Sequence, residues 1–245
     1  IPSALSIMSW DYLETKGEKV IGTYVHLPRG QPFNKGIRLV YCDVTQKGSV
    51  ERIIRRYRPD CVYYLAAQSS VRQAWLKPIE TIKVNFLGGV FLLETLRHLN
   101  SKARVLIFSS GTTYGSSHRL GKHLKEDACL RPMDPYGVSK MSIDYLAQLY
   151  ARVFGLQVLV VRLANMTGPG QSTIFSIPNF ASQIARMEAQ RTPRILEAGN
   201  LAARRDYLDI RDGIEAIHQA MKHGKAGEAY NIASGRSRSL KSVLY

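Results

Sequence analysis

Tyr136 and Lys140 lie one helical turn apart in the segment YGVSK, and together they could transfer a proton. Residues four apart share one face of a helix, so an ammonium would lie beside a phenol. That ammonium would stabilise the phenolate and lower the tyrosine pKa, which suits proton exchange with a hydroxyl or ketone oxygen. The same spacing also arises by chance, and a surface tyrosine and lysine on an amphipathic helix explain it equally well.

A run of small hydroxyl residues, SSGTTYG at 109–115, precedes this pair in the chain. It follows the apolar segment 104–108, which has the composition of a buried strand. The carboxyl ends of parallel strands are where such sheets bind ligands, so Ser110 could donate a hydrogen bond to the oxygen on which Tyr136 acts. Hydroxyl residues are also common in turns. The two features in this order indicate a catalytic site more strongly than either does alone.

Strand-like and helix-like segments alternate around these residues. Strands are predicted at 19–24, 37–41, 61–65, 104–108 and 157–162, and helices at 10–16, 49–57, 78–99 and 136–154. The alternation predicts an α/β fold, a Rossmann-like doubly wound parallel sheet built from right-handed βαβ units.

The pattern becomes more irregular after the sequence GPGQ at 168–171. We therefore expect a dinucleotide-binding Rossmann domain over residues 1–165 and a smaller, loop-rich substrate-binding region over residues 166–245. Such a fold begins with a strand, whereas this chain opens on a helical pattern and closes on the start of another helix. We accordingly expect a chain that is truncated at both ends.

The composition restricts the possible partners. The 245 residues include 34 Lys and Arg against 19 Asp and Glu, a formal charge of +15. This excess is compatible with an anionic substrate, a membrane surface or a large assembly, while the dispersed basic residues argue against nucleic acid. The three cysteines and six histidines lack metal-like spacing, and the sparse cysteines favour a reducing compartment, so no metal is expected. We expect a cytoplasmic protein, with a mitochondrial location as the alternative.

Several motifs together resemble the extended short-chain dehydrogenase/reductases of the NAD-dependent epimerase/dehydratase family. The segments that carry the resemblance are YCDVT (41–45), YYLAAQSSV (63–71), VNFLGG (84–89), SSGTTYG (109–115), PYGVSK (135–140), RLANMTGPGQ (162–171), GNLAARRDYLDIRD (199–212) and YNIASG (230–235). The resemblance covers nearly the whole chain and is greatest for the GDP-sugar branch, which contains GDP-4-keto-6-deoxy-mannose reductases and GDP-mannose 4,6-dehydratases. It implies a nicotinamide cofactor, a nucleotide-sugar substrate, and a homodimer formed by residues 78–99 and the helix that carries Tyr136.

The resemblance also implies a role for individual residues. The catalytic set is Ser110, Tyr136 and Lys140, of which Lys140 also holds the nicotinamide ribose. The implied cofactor contacts are Ser3, Ser6, Tyr24, Asp43, Leu65, Ala66, Ala67, Tyr136 and Lys140. The implied substrate contacts are Thr112, Asn165, Asn200 and Arg205.

For Arg205 and for Asn85, the residue types and their neighbours also allow a purely structural role. Arg205 matches a diphosphate contact together with Asn165. Alternatively, Arg204 and Arg205 could form an ion pair with Asp206 or Asp209. An arginine suits the diphosphate because its planar guanidinium group can donate two parallel hydrogen bonds to a pair of phosphate oxygens. Asn85 matches a structural asparagine near the cofactor, and a buried asparagine that braces two strands would look the same.

The chain departs from the family pattern after the strand-end hydroxyl. Dehydratases of this group carry an acidic residue there, whereas this chain has Gly111 and Thr112. Neither residue can act as a base near pH 7. We therefore expect a reductase or an epimerase rather than a dehydratase.

The cofactor loop departs as well. Ser3 and Ser6 stand where the family has the second and third glycines of its phosphate-binding turn, and Pro2 lacks a backbone N–H. No acidic residue follows the strand 19–24 to bind a ribose 2′-hydroxyl, and His26 or Arg29 could meet a 2′-phosphate. NADP(H) is therefore favoured over NAD(H).

These observations predict an NAD(P)-dependent oxidoreductase or epimerase that acts at C4 of a nucleotide-activated sugar, similar to a GDP-sugar 4-ketoreductase. The altered phosphate loop and the basic charge motivate an alternative. In that alternative the chain is a non-catalytic short-chain-dehydrogenase-like subunit of a larger assembly, for example a mitochondrial one.

Overall fold

The computed structural model describes residues 4–26, 36–120, 123–190 and 195–244. The described strands are β1 (Ile21–Tyr24), β2 (Arg38–Tyr41), β3 (Cys61–Tyr64), β4 (Arg104–Ser110), β5 (Val158–Leu163), β6 (Asn165–Thr167), β7 (Arg204–Asp209), β8 (Ala229–Ile232) and β9 (Ser237–Ser239). The described α-helices are α1 (Ala4–Thr15), α2 (Lys47–Tyr57), α3 (Val71–Leu76), α4 (Pro78–Ile82), α5 (Gly88–His98), α6 (Pro135–Phe154), α7 (Ser176–Gln190), α8 (Ile210–His223) and α9 (Leu240–Leu244).

The strands form three hydrogen-bonded groups. The largest is a four-stranded parallel sheet in the order β3-β4-β5-β8, and β1 and β2 form a separate parallel pair. A cavity of about 1240 Å³ lies between that pair and β3, with Ile21, Tyr24, Cys61 and Tyr64 in its wall. The third group, β6-β7-β9, combines one parallel and one antiparallel pairing. The predicted α/β class with a parallel sheet is confirmed.

The four-stranded sheet is buried on both faces because β4 and β5 are apolar on both faces. Val105 and Ile107 pack into a cluster formed with α2, α5 and α6. Leu106 and Phe108, which alternate with them, pack on the other face together with α8. Among the described residues, no helix has both the length and the apolar character that a membrane span requires.

The single helix predicted over 78–99 is wrong in one respect, since α4 and α5 are joined by a π-helical turn, Lys83–Leu87. The irregular structure predicted after residue 168 is wrong for α7 and α8, which are regular helices of 15 and 14 residues. Moreover, α8 and β8 return to the four-stranded sheet, where β8 pairs with β5. The domain boundary at residue 165 stays a prediction.

Candidate functional site

Ser110 is the last residue of β4 and is held in a defined orientation. The residue pairs with Leu163 of β5, and its side chain is buried. Its Oγ accepts hydrogen bonds from the backbone N–H of Thr112 at 3.2 Å and from the Thr112 hydroxyl at 3.0 Å. A hydroxyl has two lone pairs and one proton, so the Ser110 proton remains available for donation. Thr112 thus orients Ser110, while its predicted contact with substrate stays a prediction.

Tyr136 lies in the first turn of α6, which packs against the segment that follows β4. The helix starts there because Asp134 caps it, accepting a hydrogen bond from Gly137 N at 2.8 Å, and Pro135 suits the first helical position. Gly137 permits the close packing, since a Cβ at this position would lie 3.3 Å from the Thr112 carbonyl oxygen. The structure thereby brings the Tyr136 phenol close to the Ser110 hydroxyl, near enough for Ser110 to lower the pKa of the phenol while burial, the larger effect, raises it.

The loop before α6 and the segment after β4 are joined by further contacts. Arg131 N donates to Thr113 O at 3.0 Å, and Ser116 N donates to Arg131 O at 3.2 Å. Gly115 adopts φ 48°, and a Cβ there would lie 1.8 Å from the Arg131 carbonyl oxygen. Only glycine therefore allows the two segments to approach this closely.

The protonation states differ from those expected of a tyrosine beside an ammonium. Burial raises the pKa of Tyr136 above its ordinary value, the hydrogen bond with Ser110 lowers it, and the Asp134 carboxylate raises it. Lys140 Nζ instead donates to the carbonyl oxygen of Phe108 at 2.7 Å, and burial lowers the pKa of Lys140 to about 8. The predicted lowering of the tyrosine pKa is therefore wrong here, because burial of the phenol outweighs the other effects. The phenol is protonated at neutral pH and can donate its proton.

Asn85 connects the end of β3 to the catalytic helix. Its Oδ1 accepts from Gln68 N at 2.7 Å, and its Nδ2 donates to Gln68 O at 3.0 Å and to Ser139 Oγ at 2.9 Å. The Ser139 hydroxyl donates in turn to the carbonyl oxygen of Tyr136 at 2.7 Å. Asn85 therefore braces a loop and a helix rather than two strands, and the π-helical turn places it in the interior. Sequence reasoning missed Ser139, which lies inside the YGVSK motif.

Six of the predicted cofactor residues lie around one cavity, whereas Tyr136 and Lys140 do not line it. Ser6, Tyr24, Asp43, Leu65, Ala66 and Ala67 all line the cavity of about 1240 Å³. Ser6 is in the first turn of α1, and the others lie at or just after the carboxyl ends of β1, β2 and β3. A helix N-terminus that meets the ends of parallel strands is typical of dinucleotide sites. Ser3 and Arg29 lie outside the described residues.

The cavity runs along the whole length of β1 and β3, from Lys19 and Asp60 to Tyr24 and Ala67, and only its end at the carboxyl edge offers residues that could hold a dinucleotide. Ala66 and Ala67 are small enough to let a ring approach the strand end, and the buried Ser9 hydroxyl has no hydrogen-bond partner among the described residues. Asp43 Oδ1 already accepts from Thr45 N at 2.9 Å and from Thr45 Oγ1 at 2.7 Å, so this carboxylate also closes a turn. The contact of Asp43 with the cofactor, which the resemblance implies, stays a prediction. The catalytic residues lie outside this wall and are joined to it through Asn85.

The predicted substrate residues lie on or beside the β6-β7-β9 sheet. Asn165 of β6 pairs in register with Tyr207 of β7, two residues beyond Arg205. Asn165 Nδ2 donates to Asp206 O at 3.4 Å. Asn200 is exposed and closes a local turn by accepting from Ala202 N at 3.0 Å.

The alternative interpretation of Arg205 as an ion-pair partner is wrong. Asp209 pairs with Arg211 at 2.7 Å, and Asp206 Oδ1 accepts from Ser234 N at 2.9 Å. Among the described residues, Arg205 forms no ion pair, and its Nη1 donates to its neighbour's carbonyl oxygen at 2.7 Å. The guanidinium is exposed and available to an anion.

The family model described as GDP-mannose 4,6 dehydratase matches residues 13–245. The chain belongs to this family. Among curated proteins, this member of the GDP-mannose 4,6 dehydratase family is similar to the GDP-6-deoxy-D-mannose reductase of Pseudomonas aeruginosa. The two are 35% identical over 186 residues, which are 76% of this chain and 61% of the relative's length.

Two solved structures are also similar to this member of the GDP-mannose 4,6 dehydratase family. RMD from Pseudomonas aeruginosa, complexed with NADPH, has a TM-score of 0.81 and 29% identity. The match covers 98% of this chain and 78% of the RMD chain. UDP-glucose 4-epimerase from Thermotoga maritima, with UDP-glucose, has a TM-score of 0.84 and 27% identity, with coverages of 99% and 78%. The predicted family and the Rossmann-like fold are confirmed.

Proposed function

We propose that the protein is an NAD(P)-dependent oxidoreductase or epimerase that acts at C4 of a nucleotide-activated sugar, and specifically a GDP-sugar 4-ketoreductase. The observation that carries the proposal is the proximity of the Ser110 hydroxyl, the Tyr136 phenol and the buried Lys140 at the carboxyl edge of a parallel sheet. The similarity to a GDP-6-deoxy-D-mannose reductase supports the substrate class.

In the proposed reaction a 4-keto sugar is reduced to a hydroxyl. A bound nicotinamide supplies the hydride to C4. Ser110, oriented by Thr112, donates a hydrogen bond to the keto oxygen, and Tyr136 transfers its phenolic proton to that oxygen. Solvent then returns a proton to the tyrosine. Lys140 lies on the same helical face, bound to the end of β4, where its position matches a ribose contact.

The protonated phenol of Tyr136 suits the reductive direction of the proposed reaction. A protonated phenol can donate at once, whereas an epimerase must first remove a proton from the sugar hydroxyl. Dehydration needs a base beside the strand-end hydroxyl, and Gly111 and Thr112 occupy those positions. The nearby carboxylate of Asp134 caps α6 through its bond to Gly137. We therefore propose a reductase that does not dehydrate its substrate.

NADP(H) is the proposed cofactor. The described residues that follow β1, Val25 and His26, carry no carboxylate that would repel a 2′-phosphate. The similar RMD structure is complexed with NADPH. Equal affinities of the purified protein for NADPH and NADH would contradict this preference.

A homodimer is proposed from an apolar surface on α3, α4 and α6. Tyr145, Leu149 and Val153 form an exposed stripe along α6, since they are spaced four residues apart. Trp75 of α3 and Ile79 of α4 are exposed as well, on two helices that both pack on α6. Apolar patches of this kind mark protein interfaces, and the family resemblance supports a second copy of the chain as the partner.

The decisive test is Tyr136→Phe in the purified protein, assayed as NADPH oxidation with GDP-4-keto-6-deoxy-mannose. We expect a rate loss of about 10²–10⁴-fold with an unchanged melting temperature, because only a proton donor is removed. Tyr145→Phe, an exposed position on the same helix, is the matched control and should keep the wild-type rate. A Tyr136→Phe rate close to wild type would sink the proposal. The non-catalytic alternative requires a wild-type protein without turnover in a stable larger complex.

A further inference from the structure

Arg205 of β7 lies directly opposite Arg238 of β9. The two strands are antiparallel, and their register pairs Arg205 with Arg238. Directly opposed residues on an antiparallel pair project from the same face, with Cβ atoms about 4.5–5.5 Å apart. Like charges in this position destabilise the pair of strands. The arrangement is therefore unfavourable unless something negative lies between the two side chains.

The face that carries these arginines is the one turned away from the core. Met166 and Leu208 pack beside α8, where they contact the position of Gly213. Side chains alternate along a strand, so Arg205 and Tyr207 project to the opposite face. Arg205 is near enough to Tyr207 for its charge to lower the phenol's pKa, although burial of Tyr207 has the larger effect and raises it.

No carboxylate neutralises the pair among the described residues. The ion pairs that the structure describes involve neither Arg205 nor Arg238. Asp206 projects to the other face and accepts from the Ser234 hydroxyl at 2.8 Å, and Asp209 is paired with Arg211. Both guanidinium groups are exposed. Two fixed positive charges thus share one face without a protein counterion.

This face adjoins the catalytic end of the main sheet. Leu163 pairs with Ser110, and β6 begins two residues later at Asn165. Asn165 pairs with Tyr207, so the polar face of β6 and β7 runs from the Ser110 end of the sheet to the two arginines. A nucleotide sugar with its C4 at Ser110 could extend its diphosphate toward this face.

We propose that Arg238 is a further substrate-binding residue, which binds a diphosphate jointly with Arg205. The proposal rests on the proposed function, since the diphosphate is that of the nucleotide sugar. Two guanidinium groups can each donate paired hydrogen bonds to one of two linked phosphates and match their charge. A diphosphate bound by Arg205 alone would leave the repulsion between the two arginines in place. A bound diphosphate would neutralise the two positive charges that the register of β7 and β9 places side by side.

The test compares Arg238→Met, Arg238→Lys and Arg204→Met with wild type by calorimetric binding of GDP and NADPH. Arg204 is the control because it is the neighbouring exposed arginine on the opposite face of β7. We expect Arg238→Met to weaken GDP binding about 10- to 100-fold, as is typical for loss of a charged hydrogen bond. Arg238→Lys should be intermediate, because it keeps the charge and loses the fork. Affinity for NADPH and the melting temperature without GDP should not fall.

Two outcomes would overturn the proposal. One is that Arg238→Met binds GDP within about twofold of wild type. The other is that Arg204→Met loses as much GDP affinity as Arg238→Met, which would indicate an effect of general surface charge. Inorganic pyrophosphate separates this proposal from the proposed function. If the wild-type protein turns over the substrate but Arg238→Met binds GDP and pyrophosphate as tightly as wild type, only the diphosphate site is refuted. Arg238-dependent pyrophosphate binding without turnover of any nucleotide sugar would support the site and refute the ketoreductase.

Discussion

The Arg162 guanidinium and the Asp144 carboxylate form a buried two-point ion pair, with N–O distances of 2.8 Å and 3.1 Å. The Asp144 side chain is fully buried and that of Arg162 is 3% exposed. Arg162 Nη1 also donates to the Tyr114 hydroxyl at 3.0 Å and to the Glu126 carbonyl oxygen at 2.7 Å. Asp144 lies two helical turns after Tyr136, so the pair holds the catalytic face of α6 against β5.

Asp144→Ala should therefore destabilise the protein strongly. The change leaves a buried guanidinium without its counterion, which costs about 3–5 kcal/mol of unfolding free energy. Urea denaturation measures the loss. Asp127→Ala, at an exposed position without a described ion pair, is the control and should change stability by less than about 0.5 kcal/mol. Similar midpoints for both variants would show that the pair does not hold α6.

Lys140 should make the stability of the protein depend on pH above neutrality. Burial lowers its pKa from 10.5 to about 8. Below pH 8 the ammonium is protonated in both states, and the folded chain carries the full cost of burying it. Between pH 8 and 10.5 the unfolded chain binds the proton and the folded chain does not, so the wild-type unfolding free energy rises with pH.

Comparison with Lys140→Met isolates this effect. Relative to the variant, wild type should gain about 3 kcal/mol between pH 7 and pH 10.5, because each pKa unit corresponds to about 1.4 kcal/mol. Urea denaturation of both proteins at half-unit intervals measures the gain. A constant difference across this range would mean that Lys140 is not desolvated.

Asn85→Ala should reduce both stability and dinucleotide affinity. It leaves the N–H and C=O of Gln68 and the Ser139 hydroxyl without their partner, and each unpaired buried group costs about 1–3 kcal/mol. Asn85→Asp keeps the acceptor for Gln68 N but sets a buried carboxylate against the Gln68 carbonyl oxygen, so it should lose at least as much stability. Thermal unfolding and NADPH titration report the two effects. If Asn85→Ala binds NADPH as tightly as wild type, Asn85 does not position the cavity wall.

Leu149→Glu should convert the proposed dimer into a monomer. The charge would be placed in the middle of the exposed apolar stripe of α6, where burial of an unpaired carboxylate is costly. Sedimentation analysis measures the mass of the assembly. Ile195→Glu introduces the same charge at an exposed isoleucine away from the helices of this surface and should leave the mass unchanged. Equal effects of the two changes would place the interface elsewhere.

Much of the fold follows from local patterns. The apolar segments that became β4 and β5 and the helix predicted over 136–154 were readable, because strand burial and helical periodicity depend on neighbouring residues. The π-helical turn at Asn85 was not readable. One buried amide bonded to distant groups changes the helical register, and periodicity averaged over a helix does not detect it.

The site shows the same division. The spacing of Tyr136 and Lys140 and the position of Ser110 at a strand end are local properties, and the sequence by itself determined them together with the family. The sign of the tyrosine pKa shift, the Phe108 carbonyl as partner of Lys140, and the opposition of Arg205 and Arg238 were decided only by the tertiary structure. These depend on burial and on strand register between segments far apart in the chain, and packing of the whole core sets both.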